Sequence, residues 1–174
     1  ADGADNVTGT VVNLTTTGAG NTVGIGTSAA DTFEVAATTL HVATVNGNIF
    51  VNDTAGGVAI GLVTAGTGTV NLTATGGSLT DAALDGLVNI TGGTLNLTVT
   101  GAGNTIGTST SIANTFEVEA TTLNLTTTNG GIFVNDLSGG VALGAINAGT
   151  ADVNLTATGG SLTDAAGDGL VNIT

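Results

Sequence analysis

The sequence predicts an all-β protein, a parallel β-solenoid of about 28 residues per coil, and three observations predict it. The chain repeats itself without a gap: residues 1–91 pair with 84–174, and 63 of those 91 pairs are identical. Within each 83-residue unit a shorter motif recurs, two apolar residues flanking Asn and followed by Thr. The composition is that of strands and tight turns. There are 30 Gly, no Pro and no Met, with abundant Thr, Val, Ile and Leu, and the long straight-chain helix formers are almost missing.

The motif stands as Val12-Asn13-Leu14-Thr15, Val70-Asn71-Leu72-Thr73, Leu95-Asn96-Leu97-Thr98, Leu123-Asn124-Leu125-Thr126 and Val153-Asn154-Leu155-Thr156, with Leu40-His41-Val42-Ala43 filling the gap. Its successive spacings are 28, 30, 25, 28 and 30, which makes three coils per 83-residue repeat and roughly six coils in all. A second strand is expected over Asn48–Asp53 and a third over Gly57–Val63, separated by Gly-rich corners. In the middle coil Ser78–Thr80 and Leu87–Ile90 take those places. At about 4.8 Å per strand the rod is roughly 30 Å long. A sandwich of short antiparallel strands accounts for the composition but not for a period that runs through both ends of the chain. Residues 1–8 read as the end of a preceding repeat, 9–91 and 92–174 as two repeats of one continuous rod, and the whole as a piece of a longer array.

Period-2 alternation assigns the side chains. One inward row is expected to be Val12, Leu40, Val70, Leu95, Leu123 and Val153, and a second Leu14, Val42, Leu72, Leu97, Leu125 and Leu155. The outward face then carries Thr15, Thr17, Thr73, Thr75, Thr98, Thr100, Thr126, Thr128, Thr156 and Thr158 beside the Asn row. This Thr-x-Thr ladder is the candidate binding surface, for ice or a surface glycan, although Thr is also simply the best polar strand former. Phe50 and Phe133, flanked by inward aliphatics, are candidate lateral contacts if they point outward and core residues if the register is reversed.

The charge is one-sided, with 13 acids, no Lys, no Arg and one His. Such a chain cannot neutralise a phosphate backbone, which excludes nucleic acid as a partner. The longest apolar runs are far too short for membrane insertion by a helix. Catalysis is not expected. His41 is unrepeated, Asn124 standing in its place, and no Cys or Lys nucleophile exists. The paired acids Asp81 and Asp85, repeated as Asp164 and Asp168, have no basic or aromatic residues with which to hold a sugar. No cofactor is assigned; calcium is the one ion that Asp-bearing glycine turns leave open.

Leu123–Asp136, Gly159–Asp164 and Asn104–Thr108 together resemble the repeats of filamentous-haemagglutinin-like bacterial adhesins. That resemblance implies a β-helical shaft, exported to the cell surface, whose partners are adjoining repeats or further copies stacked end to end. The total lack of Lys and Arg departs from the usual pattern of such proteins.

Overall fold

The computed structural model describes residues 5–28, 30–166 and 172–174. Residues 1–4 of the expected preceding repeat and 167–171 of the second repeat, Asp168 among them, lie outside the described residues. The fold is all-β, and no helix occurs among the described residues. The first repeat supplies β1 (Val7–Ala19), β2 (Phe33–Val45), β3 (Ile49–Asp53), β4 (Val58–Thr64), β5 (Thr69–Thr75) and β6 (Leu79–Asp81). The second supplies β7 (Ile90–Ala102), β8 (Phe116–Thr128), β9 (Ile132–Asp136), β10 (Val141–Asn147), β11 (Val153–Ala157) and β12 (Leu162–Asp164).

All twelve strands join one sheet, and every strand pairing among the described residues is parallel. Five of them, β2-β3-β5-β7-β4, close into a barrel through the β4–β7 pairing, and the others extend it. Closure depends on the long strands, each of which serves two shorter ones. The start of β2 lies on β3 (Phe33↔Val51) and its later part on β4 (Leu40↔Ile60). β7 meets β4 through Ile90 and β5 through Leu95, bending between them at Gly92-Gly93.

The strands carry the expected alternation. In β5 the pattern is buried at Val70, Leu72 and Ala74 and half-buried between them. The inward side chains form one contiguous aliphatic core, with Leu40, Ile60, Leu95, Leu123 and Leu125 among the fully buried. Filling a narrow interior with branched aliphatics is what a barrel of short strands requires, because it leaves no lumen for water.

The stacking order corrects the expected rows. Val12 meets Leu40 and Val70 meets Leu95, which meets Leu123, as expected. Leu40, however, lies on Ile60 rather than Val70, and Val70 lies on Ile49. Likewise Leu123 is followed by Leu143, while Val153 lies on Ile132. The uniform coil is therefore replaced by two kinds of step. Short ones run through β3, β4, β5 and β6, as in Phe33↔Val51, Ile49↔Val70 and Val58↔Leu79. Longer ones run to and between the long strands, as in Val70↔Leu95 and Leu95↔Leu123. Tight glycine corners let the short strands close on themselves quickly. At Gly77 an added Cβ would fall 1.6 Å from the Gly56 carbonyl oxygen one short step back, and at its counterpart Gly160 2.1 Å from the Gly140 nitrogen, so only glycine permits the two segments to stack there.

These steps give the repeat a further property. Val23, Ile49, Val70, Leu95, Leu123 and Leu143 form one stack; Val58, Leu79, Ile106, Ile132 and Val153 form another. Ile106 is the counterpart of Val23 in the second repeat, yet the two occupy different stacks. Equivalent residues of the two repeats therefore sit on different sides of the barrel.

Candidate functional site

The candidate surface is set by the same registers. Thr73, Thr98 and Thr126 are neighbours on β5, β7 and β8, and Thr75 adjoins Thr100. Thr128 is displaced by the irregularity after Thr98, so that it pairs with Ala102. Thr15 instead neighbours Ala43, and Thr156 neighbours Asn135. Thr17 lies near the end of β1 and Thr158 just past the end of β11, both exposed. The ten threonines thus form a rank three strands deep with two outlying pairs.

Beside that rank runs a hydrogen-bonded amide ladder. The Asn96 side-chain amide donates to Asn71 Oδ1 at 2.8 Å, the Asn124 amide to Asn96 Oδ1 at 2.8 Å, and Asn124 Oδ1 accepts the Ala145 N–H at 2.9 Å. The ladder needs parallel, in-register strands, because only then do like side chains repeat at one strand spacing. A groove of about 220 Å³ opens beside it, lined by Thr27, Thr32, Val51, Asn71, Thr73, Asn96 and Thr98. It contains hydroxyls and amides but no aromatic ring and no charge.

His41 lies across Gly61, where β2 and β4 slip by one residue, and an added Cβ there would fall 1.9 Å from its ring. Asn124 lies in the same way across Gly144. The bulge glycine thus accepts either side chain in the outward row. A cavity of about 130 Å³ beside His41 is lined by Asn13, Leu14, Thr15, Val42, Ala43, Leu62 and Thr64 and holds no second titratable group. Phe50 and Phe133 are half-buried and point away from the core, alternating with buried Ile49, Val51, Ile132 and Val134. They neighbour Asn71 and Asn154 respectively, on different stacks.

Among the described residues five acids are buried, in a chain with no Lys or Arg: Glu34, Asp53, Asp81, Glu117 and Asp136. Backbone N–H groups replace the absent cations. Asp53 accepts from Ala37 and Gly57, both at 3.2 Å, and Asp81 accepts from Ala83 and Asp85 and from the Asn89 amide. Asp136 accepts from Ala120 at 3.3 Å. The Gly140 N–H, counterpart of that of Gly57, eases its charge without closing a hydrogen bond, so Asp136 Oδ2 has no partner, nor has Oε2 of Glu117. Burial raises the Asp53, Asp136 and Glu117 carboxyls above the ordinary range. Nearby like charge adds to this, from Asp5, Glu119 and Asp81 respectively, while hydrogen bonds partly oppose it. Among the described residues no group of three or more His, Asp or Glu is placed to hold a metal ion. No helix among them is long and apolar enough to cross a membrane.

The two outer edges of the sheet are the other candidate. Leu162 is 41% exposed where its counterpart Leu79 is 0%. Val153 and Leu155 are half-exposed where Val70 and Leu72 are buried, and at the opposite edge Val7 and Leu14 are half-exposed where Ile90 and Leu97 are buried. These edges were not singled out by motif; only the pairing order shows which strands lack a neighbour.

Comparison with family models, with curated proteins and with solved structures finds no match.

Proposed function

We infer that the chain is a non-enzymatic structural module, a stiff β-solenoid rod that stacks end to end within a bacterial surface fibre, sheath or adhesin shaft. The observation that carries this reading is the parallel pairing of every strand with one a winding away, combined with edges that expose what the interior buries. Continuous backbone ladders along the axis resist stretching, and the aliphatic stacks exclude water. Counted as windings, the 83-residue repeat corresponds to about three and a half turns of about 24 residues each, so a two-repeat length makes about seven turns in place of six.

The placement outside the cell rests on the resemblance of Leu123–Asp136, Gly159–Asp164 and Asn104–Thr108 to adhesin repeats, and the lack of Lys and Arg would leave no trypsin site in an exposed fibre. Electron microscopy of the protein at high concentration tests the function. Filaments of one-molecule width support it, and discrete short rods at every concentration would remove it. One observation favours a second reading: the Thr73–Thr98–Thr126 rank beside the polar groove offers ordered hydroxyls to ice or a glycan. Thermal hysteresis, or glycan retention, that is lost in Thr73→Tyr would establish it.

A further inference from the structure

The amide ladder has a direction. The Ala145 N–H donates to Asn124 Oδ1 at 2.9 Å, the Asn124 amide to Asn96 Oδ1 at 2.8 Å, and the Asn96 amide to Asn71 Oδ1 at 2.8 Å. Every link points the same way, so each polarises the next and the strengthened donor is the last one, Nδ2 of Asn71. The next strand offers it nothing, because its neighbour on β3 is Phe50, whose side chain carries no acceptor. Among the described residues no group accepts from Asn71 Nδ2, and the hydroxyls of Thr73, Thr98 and Thr27 are equally uncommitted. All of these side chains line the groove beside the ladder.

That groove has a floor and a fixed wall. The floor is the outward side of β5 and β7, and the wall is the connection between β1 and β2, which supplies Thr27 and Thr32. Hydrogen bonds hold the connection against β3 and within itself. The Phe50 N–H donates to the Val23 carbonyl at 2.7 Å, the Ile25 N–H to that of Asp31 at 2.8 Å, and the Ser28 hydroxyl to Asp31 Oδ2 at 2.6 Å. The Thr32 hydroxyl donates to Glu34 Oε1 at 2.8 Å. Gly24 sits so close to β3 that an added Cβ would lie 2.4 Å from the Phe50 carbonyl oxygen. Groups held in place before a ligand arrives need little further ordering to bind it.

The geometry points to a subsite for one neutral sugar ring, with Asn71 Nδ2 donating to a sugar oxygen and Thr73, Thr98 and Thr27 exchanging hydrogen bonds with its hydroxyls. This rests on the second reading above and deepens it, choosing glycan over ice and naming the contacts. The groove, about 220 Å³, is smaller than the roughly 300–1,000 Å³ of a drug-sized pocket, so it takes one ring and leaves the rest of a glycan outside. Thr73 and Thr98 repeat at the strand spacing of about 4.8 Å, which is also about the distance between equatorial hydroxyls on alternate carbons of a pyranose. The wall rises beside these two threonines, whereas an ice plane requires a flat approach. A chain with 13 acids and no Lys or Arg repels acidic sugars, which leaves the neutral ones.

The test is saturation-transfer NMR of the whole chain with glucose, galactose, mannose and N-acetylglucosamine, and with glucuronic acid as the charged control. At least one neutral sugar should receive saturation, and glucuronic acid at least tenfold less. Asn71→Asp still accepts from Asn96, so the ladder stands while the donor into the groove is lost, and the sugar signal should fall at least tenfold. Thr98→Val removes one hydroxyl without adding charge and should weaken the signal in the same direction. Thr121→Val, an exposed threonine outside the groove, should leave it unchanged. A signal that survives both Asn71→Asp and Thr98→Val would overturn this subsite, and its loss in Thr126→Tyr would leave the threonine face standing as a binding surface. Thermal hysteresis without any sugar signal would likewise overturn the subsite and leave the face. Neither sugar signal nor hysteresis would overturn both.

Discussion

Asp53 and Asp136 are the same residue in two repeats, and the structure predicts opposite responses to the same substitution. Both are fully buried, 0% and 1% exposed, and burial raises both carboxyls. They differ in what their oxygens touch. Asp53 uses both, accepting the Ala37 and Gly57 amides, whereas Asp136 uses one on Ala120 and leaves Oδ2 without a partner, Gly140 not closing the equivalent bond. Asp136→Asn keeps the acceptor for Ala120 and removes a poorly compensated buried charge, while its amide N–H meets the Gly140 N–H only outside hydrogen-bond geometry, so the net is a gain of about 1 kcal/mol at pH 7. That is a rise in Tm of about 2–4 °C for a chain of this size. Asp53→Asn removes the same charge but turns an amide N–H toward the Gly57 N–H, leaving two donors face to face, and should cost about 1–2 kcal/mol. The sign with pH follows from the raised carboxyl. The ionised form of Asp136 is penalised in the folded state, so the penalty is complete above the folded pKa and vanishes below the unfolded one, near 4. Stability of the parent should therefore rise as pH falls from 7 through the carboxylate range, and Asp136→Asn should flatten part of that slope. Thermal melts followed by far-ultraviolet circular dichroism between pH 4 and 8 read both effects. Equal shifts in the two variants, or a lower Tm for Asp136→Asn at pH 7, would refute the assignment of the unpartnered oxygen as the source of the difference.

Leu72→Ala should cost about 3 kcal/mol, as for a fully buried leucine, whereas its counterpart Leu155→Ala should cost under half as much in dilute solution, where that side chain is half-exposed. The two costs should converge under conditions in which copies stack, as measured by urea unfolding at low and high protein concentration. Gly130→Ala should destabilise by about 1–3 kcal/mol or prevent folding, because the new Cβ meets a backbone carbonyl that cannot move aside. Gly9→Ala, whose Cβ would find its nearest neighbours at 3.5 Å, should change the melting temperature little. His41→Asn should raise stability by about 0.5–1 kcal/mol, since Asn124 at the equivalent place accepts a backbone N–H across its bulge glycine. A loss of stability in that variant would show that the His41 ring contributes packing over Gly61 that an amide does not replace.

The all-β class, the repeat and the side-chain assignment were legible in the sequence because each follows from local chemistry. Thr, Val and Leu alternate with period 2, and that alternation alone sorts Val70, Leu72 and Ala74 inward and Asn71 and Thr73 outward wherever the strand lies. The contiguity of Thr73, Thr98 and Thr126 belongs with these, since strands of equal phase lie side by side there, whereas alternation alone left Phe50 and Phe133 open between the outward face and the core and only the structure turned them outward. Which strand lies on which was decided only by the tertiary structure. An inward Leu40 packs equally well on Val70 or on Ile60, both aliphatic, so no motif distinguishes the long step to the first from the short step to the second. The choice falls to corner geometry: Gly77 and Gly160 let the short strands turn within contact of the chain beneath, and each such corner shortens a step. Summed over a repeat, those shortened steps offset equivalent residues to different sides of the barrel. The open edges at β1 and β11 and the partnering of Asp136 are likewise properties of the assembled sheet. They depend on contacts between residues far apart in the chain, such as Val153 with Ile132 or Asp136 with Ala120, whose identities carry no trace of one another.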